Sequence, residues 1–377
     1  MNETLLPTGC YDVLPPYARL GEQLNYQLLS HFESYGYEQV GPPLFEYTES
    51  LLAGRGAVLS PQVIRVMEPD SQKVMGLRAD MTLQIGRIAT SRLAEATRPL
   101  RLCYSGFIMR MKGESSSAKR EMYQTGIELI GTDNAEADAE VVLVALRALQ
   151  AAGVGHVTID LNLPVFIGTI LAESSLDNEE LEQVFEALAR KDNARLKEFQ
   201  EDKADLLCEL MLMSGDAQSS LAKLNEIALP EAVAPHLKRL SEVIDIVEQH
   251  KGQQVTVTLD VTERSGLDYY SGISFTLFAT EQHVELGRGG RYVISRSAAR
   301  ESAIGCTFYA HSLERLLPEP AAPARVYVAQ GIAEADINGL QDKGYVTILA
   351  LSDTPPQSAA RELGCAYVYE NGELREV

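Results

Sequence analysis

The chain contains no tryptophan, and its five cysteines never form a Cys-x-x-Cys pair. Cys10, Cys103, Cys208, Cys306 and Cys365 are odd in number and widely scattered, which argues against a disulfide framework and fits reduced thiols in a cytosolic protein. The six histidines are equally dispersed, with no His-x-His or His-Glu-x-x-His cluster, so neither a metal site nor a cofactor is expected. No apolar run approaches the length of a membrane span, and no basic, apolar and small-residue series marks a secretory leader. The expected location is the cytoplasm, with no membrane partner. Positive charge is also in deficit: 33 Lys and Arg stand against 53 Asp and Glu, a formal net charge of −20. Such a surface repels a phosphate backbone, and no basic cluster offsets it, so general nucleic-acid binding is disfavoured.

What is present is ordinary for a globular chain of two or three domains: 377 residues, 45% hydrophobic and 23% charged. Two alternating apolar runs, Val255–Val261 and Ile273–Phe278, read as strands. Between them lies Arg264-Ser265-Gly266-Leu267-Asp268-Tyr269-Tyr270-Ser271-Gly272, a glycine-bounded turn carrying two tyrosines and an aspartate. This turn is a candidate ligand floor. The plainer alternatives are that Asp268 forms the turn and that the tyrosines pack at a strand end.

Further periodicities organise the rest. Leu20, Leu24, Leu28 and Phe32 recur every four residues and predict an amphipathic helix over 17–35. A proline-interrupted strand over 37–46 is expected at a sheet edge or an interface. Residues 63–80 predict a hairpin leading into a helix through Ala89, with Asp80 or Thr82 available to cap it. Strands over 101–110 and 120–131 flank a loop, and Gln124 and Glu128, four apart on an extended strand, share one face. A helix over 134–152 and a strand over 156–161 follow, then a strand-poor helical stretch over about 164–251. The glycine-rich Gly287-Arg288-Gly289-Gly290-Arg291-Tyr292 reads as a turn, and 303–316 as a strand entering a helix. A Pro/Ala linker at 318–323 separates a small α/β tail.

Several of these pieces together resemble the histidyl-tRNA synthetase family: Gly-Leu-Asp-Tyr-Tyr at 266–270, Gln-x-Gly-x-Glu at 124–128, Leu-Arg-x-Asp-x-Thr at 77–82 and Gly-Gly-Arg-Tyr at 289–292. The resemblance covers residues 6–317. It implies an α+β fold, a class II aminoacyl-tRNA synthetase-like antiparallel sheet core with flanking helices. The implied domains are a core over 1–318, carrying the helical insertion, and a small C-terminal domain over 319–377. It also implies a histidine pocket formed by Asp80, Thr82, Arg110, Gln124, Glu128, Leu267, Asp268, Tyr269, Tyr270 and Tyr292. The acids would meet the ammonium, Arg110 the carboxylate and the aromatic residues the ring.

The departures fall mainly on nucleotide-handling positions. Ser265 stands where the family has an arginine, Lys112 where it has a glutamate and Ala118 where it has a second arginine. Val293 replaces the aspartate that follows the Gly-Gly-Arg-Tyr piece, and Ser312 stands at a family glycine, which makes Arg315 a weak candidate for any nucleotide role. Phosphoryl chemistry relies on placed cations worth several kcal/mol together. Their loss beside a kept pocket is similar to the regulatory subunits of ATP phosphoribosyltransferase, the synthetase paralogues of histidine biosynthesis. That resemblance implies no catalysis by this chain, partnership with the short-form catalytic subunit in a hetero-oligomer, a synthetase-like dimer, L-histidine as effector, and no tRNA binding. Two other readings stay open: a divergent synthetase that activates histidine with ATP, and a binding module for another small ligand.

Overall fold

The apolar stripe at Leu20, Leu24, Leu28 and Phe32 forms a helix as its period predicts: α1 spans Tyr17–Ser34 and buries all four side chains. The computed structural model describes residues 5–113, 119–172, 174, 176–199, 201–263, 270–296, 299–318 and 321–377, and the chain divides into two compact units, Met1–Leu317 and Pro318–Val377.

In the first unit Pro42 and Pro43 divide the expected early strand. β1 (Glu38–Gln39) runs parallel to a strand at the edge of the main sheet, whereas β2 (Phe45–Tyr47) joins a separate three-stranded sheet. α2 (Thr48–Leu51) and a 3₁₀ stretch (Gly54–Gln62) lead to β3 (Arg65–Met67) and β4 (Val74–Leu77), which form the predicted hairpin. α3 (Thr82–Thr90) begins with the Thr82 N–H donating to the Asp80 carboxylate at 2.8 Å, so Asp80 is the candidate that meets a first-turn donor. β5 (Leu100–Met109) and β6 (Glu121–Ile130) pair antiparallel along their whole length. α4 (Ala135–Ala151), capped by the Asn134 side chain, is apolar nearly all round and accordingly buried. β7 (Val157–Asn162) follows.

The stretch after Pro164 is helical apart from one two-residue strand. It comprises α5 (Val165–Leu171), α6 (Asn178–Ala189), α7 (Asn193–Phe199), α8 (Glu201–Met211), β8 (Gly215–Asp216), α9 (Ala217–Leu224) and α10 (Ala234–His250). Its Val184, Leu188, Leu207, Val243 and Val247 share one continuous core with α1 and α4. β9 (Val255–Asp260), β10 (Tyr270–Ala279), β11 (Val284–Arg296), β12 (Ala299–Tyr309) and α11 (Ala310–Glu314) complete the unit.

The main sheet has the order β1-β5-β6-β12-β11-β10-β7-β9-β8 and is antiparallel except at β1/β5 and β7/β9. β9 and β10 therefore lie in one sheet with β7 between them. Alternation sends Cys103, Ile127 and Leu129 toward α1 and α4, while Leu102, Tyr104 and Ile108 face the other way and pack with Met81 and Ile85 at α3.

One expectation is overturned here. Gly287–Tyr292 is not a turn but lies inside the thirteen-residue β11, between β10 and β12. Its glycines answer to crowding: a Cβ at Gly289 would come within 2.4 Å of the Phe275 ring, and one at Gly290 within 2.7 Å of the Tyr270 ring.

The second unit is a four-stranded sheet. β13 (Arg325–Val328), α12 (Glu334–Asp342), β14 (Val346–Leu349), α13 (Pro356–Glu362) and β15 (Tyr367–Glu370) make the parallel part, in the order β14-β13-β15. β16 (Glu373–Glu376) returns antiparallel through Asn371-Gly372, both at positive φ as a two-residue hairpin turn requires.

Candidate functional site

The face of β6 that carries Gln124 and Glu128 is covered by the start of α3, and the two side chains are 0% and 1% exposed. Gln124 is held from both ends. Its Oε1 accepts the Met81 N–H at 2.8 Å, and its Nε2 donates to Asp80 Oδ2 at 2.9 Å and Thr307 Oγ1 at 3.4 Å. Asp80, fixed also by the Thr82 N–H, is thus locked to the strand whose pocket it borders.

Glu128 occupies the deeper end. Tyr292 Oη donates to its Oε2 at 2.8 Å, and a Cβ at Gly305 would fall 2.0 Å from the same oxygen, so only glycine on β12 leaves room for this carboxyl. Burial pushes the Glu128 carboxyl up to about 8; the Tyr292 hydrogen bond opposes that rise and the nearby Asp80 charge adds to it. At neutral pH the group therefore keeps its proton. The Tyr292 and Tyr104 hydroxyls are pushed well up, chiefly by the same burial. Around Glu128 the side chains of Thr82, Tyr270, Tyr292 and Thr307 close on a cavity of about 10 Å³. That is at most a single water's space, so a ring enters only as these side chains move apart.

The opposite end belongs to Arg110. Its Nη2 donates to Tyr309 Oη at 2.8 Å and its Nε to the Ala79 carbonyl at 3.1 Å. Its guanidinium also lies 5.5 Å from the centre of the Tyr309 ring and 4.0 Å from Asp80 Oδ2. The cation is already engaged by the protein itself.

The structure thus brings together Asp80, Thr82, Arg110, Gln124, Glu128, Tyr270 and Tyr292, with Tyr270 directly opposite Tyr292 in the β10/β11 register. Leu267, Asp268 and Tyr269, together with Ser265 and Ala118, lie outside the described residues. Three participants escaped sequence reasoning: Tyr104, whose hydroxyl meets Thr307 Oγ1 at 2.8 Å and Thr82 Oγ1 at 3.3 Å; Thr307 itself; and Tyr309. Tyr104 on β5 lies an even six residues before Arg110, which directly follows that strand, a signal that was present. Thr307 and Tyr309 depend on the β6/β12 register, which local pattern does not reveal.

Arg291, beside Tyr292, points away from the pocket. Its Nε donates to one oxygen of the fully buried Asp138 at 2.7 Å, while Arg239 of α10 donates to the other at 2.7 Å. Among the described residues no group of three or more His, Cys, Asp or Glu could hold a metal ion, and no helix is long and apolar enough to cross a membrane.

Comparison with known proteins identifies the family and the fold. The family model described as histidyl-tRNA synthetase matches residues 9–313. An ATP phosphoribosyltransferase regulatory subunit of Rhodospirillum centenum is 40% identical over 375 residues, covering 99% of this chain and 96% of that one. Its counterpart in Paramagnetospirillum magneticum is 40% identical over 367 residues, covering 97% and 96%. Among solved structures, an ATP phosphoribosyltransferase regulatory subunit/histidyl-tRNA synthetase from Bacillus halodurans shares the fold with a TM-score of 0.83 at 21% identity, covering 96% of this chain and 97% of that one. Histidyl-tRNA synthetase from Nostoc does so with a TM-score of 0.81 at 18% identity, covering 99% and 96%. With its synthetase-like core and these full-length relatives, the chain belongs to the histidyl-tRNA synthetase-like family of ATP phosphoribosyltransferase regulatory subunits.

Proposed function

We propose that the chain is the non-catalytic regulatory subunit of ATP phosphoribosyltransferase, at the first step of histidine biosynthesis. It assembles in the cytoplasm with the short-form catalytic subunit, supports that subunit's activity and makes it responsive to L-histidine bound in the Asp80–Gln124–Glu128 site. The observation that carries this reading is the state of Arg110: the cation on the nucleotide side is consumed by Tyr309, Ala79 and Asp80, whereas Glu128 retains a proton among tyrosines. A site so arranged is suited to recognition and poorly prepared for phosphate.

The two acids divide the ligand between them. The imidazole lies against Tyr270 and Tyr292, with one ring nitrogen on Glu128, where a neutral carboxyl and a neutral ring can share one proton without burying an uncompensated charge. The ammonium meets Asp80, and the ligand carboxylate reaches Arg110 by displacing its contact with Tyr309. Regulation then requires that histidine favour one state of the complex by a coupling free energy, typically about 1–3 kcal/mol.

Self-association as a synthetase-like dimer fits the small sheet of the first unit. Tyr47, Met75 and Val66 lie side by side across β2, β4 and β3, with Phe45, Met67 and Val74 also exposed nearby.

Calorimetric titration of the purified chain with histidine, alongside ATP and histidinol, tests the ligand reading. Histidine heat without ATP heat is expected. Histidine-dependent ATP–pyrophosphate exchange would instead establish the synthetase alternative.

A further inference from the structure

Arg291 and Tyr292 are neighbours on β11, so their side chains leave opposite faces of the main sheet. Tyr292 reaches the pocket and holds the Glu128 carboxyl, whereas Arg291 runs toward α4 and is 5% exposed. Its stem crosses β10 at Gly272, where a Cβ would come within 3.3 Å of the Arg291 Cβ. Gly272 closely follows Tyr270 in the same strand, so one arginine lies behind the positions of both pocket tyrosines.

Arg291 shares its acids with the helical insertion. Asp138 gives Oδ1 to Arg291 Nε and Oδ2 to Arg239 Nε, each at 2.7 Å. Asp133 Oδ1 stands 3.2 Å from Arg239 Nη2 and 3.5 Å from Arg291 Nη1. The Thr132 carbonyl and Ser302 Oγ also accept from Arg291 Nη1, at 2.8 and 2.7 Å. Arg291 Nη2 is buried and has no hydrogen-bond partner among the described residues. Nε and Nη2 lie on one edge of a guanidinium, which a carboxylate can span with two parallel hydrogen bonds. Arg98 and Glu301 pair in that way, at 2.7 and 2.9 Å. Asp138 does not, because Arg239 holds its second oxygen.

We propose that Arg239, Asp138 and Arg291 are positioning residues for Tyr292, so that the helical insertion sets the affinity of the pocket for its ligand. A chain of buried contacts carries coupling when it has two discrete arrangements, and this one does. With Arg239 seated, Asp138 is divided between two cations and the Tyr292 hydroxyl rests on Glu128. With Arg239 withdrawn, Asp138 turns both oxygens to the Nε and Nη2 edge of Arg291. The arginine shifts toward α4, the strand it shares with Tyr292 follows, and Glu128 loses its donor. That the ligand is histidine rests on the function proposed above; the link from α10 to Tyr292 does not.

The test is a double-substitution cycle on the full-length chain, read by calorimetric titration with histidine and by thermal melting. Arg239→Gln should weaken histidine binding about fivefold. Arg239→Lys, which keeps a cation beside Asp138 but gives up the bridge to Asp133, should weaken it about threefold. In the Tyr292→Phe background either arginine substitution should cost less than about twofold, because the hydroxyl being positioned is gone. The melting temperature should fall equally in both backgrounds, so an arginine that only stabilised the fold would cost the same affinity in each. If Arg239→Gln does not fold, Arg239→Lys serves in the same cycle. Equal losses of affinity in the two backgrounds, or unchanged affinity in both arginine variants, overturn the proposal and leave the regulatory reading standing. No histidine heat from the unaltered chain overturns the histidine reading and the proposal with it.

Discussion

At one end of the proposed histidine site Glu128 is enclosed, protonated and held by a tyrosine; at the other Arg110 is charged and already satisfied by Tyr309, Ala79 and Asp80. A ligand gains most where the free protein is left with a costly group, since binding then removes a penalty as well as adding contacts. It gains least where it must first displace internal partners. On the proposed function, this difference is how one sheet keeps amino-acid recognition while the phosphate-handling half falls out of use.

The comparison can be tested first through the buried proton. Glu128 has a folded pKa of about 8 against an ordinary 4.5, so the native state holds an extra proton between those values. Stability from this group is full below the lower value, declines as pH rises through the window and levels off above the upper one. At ~1.4 kcal/mol per unit, Glu128→Gln should gain up to about 4 kcal/mol relative to the unaltered chain between pH 5 and pH 8. Urea unfolding at those two pH values measures it, and parallel pH dependences would remove the buried proton from the argument. Next, Glu128→Ala should cost about 3 kcal/mol of histidine affinity, more than a hundredfold, by calorimetry. Retention of binding would place the ring elsewhere. Asp80→Ala, at the more open end, should cost about tenfold to thirtyfold in the same measurement, consistent with a charge-assisted contact that water partly replaces. An effect larger than that of Glu128→Ala would invert the assignment of ends. Smallest is Tyr309→Phe, which removes one hydrogen bond donated by the Arg110 guanidinium to a neutral hydroxyl and should cost about 1 kcal/mol of stability while making Arg110 more receptive to pyrophosphate. If pyrophosphate affinity, followed by calorimetry, does not rise, Tyr309 is not what occupies that cation.

How much of this the sequence showed depends on how local the cause was. The α1 stripe and the pairing of Gln124 with Glu128 follow from periods of 3.6 and 2, so both were legible. The 63–80 hairpin and the Asn371-Gly372 turn followed from local chemistry as well. Gly287–Tyr292 was misread because the rings that demand its glycines come from β10 and β12, not from neighbours in the chain. Likewise Tyr104 and Thr307 meet over Gly126, where a Cβ would lie 2.5 Å from the tyrosine hydroxyl. Such a meeting is set by the register of three strands. The tight engagement of Arg110 was not legible, because Tyr309 reaches it from β12, 199 residues away.

The carboxylate of Asp138, gripped by Arg291 from the sheet and by Arg239 from α10, bears on how this architecture can be rebuilt. The helical insertion looks like a detachable cassette in the linear sequence, yet one of its arginines neutralises a charge in the interior of the host. Cutting it out, or grafting a different bundle in its place, would leave that carboxylate with one guanidinium instead of two, and losing a hydrogen bond to a buried charge costs roughly 1.5–3 kcal/mol. Any chimera or lineage that exchanges the insertion must therefore change position 138 at the same time or supply a new cation to it.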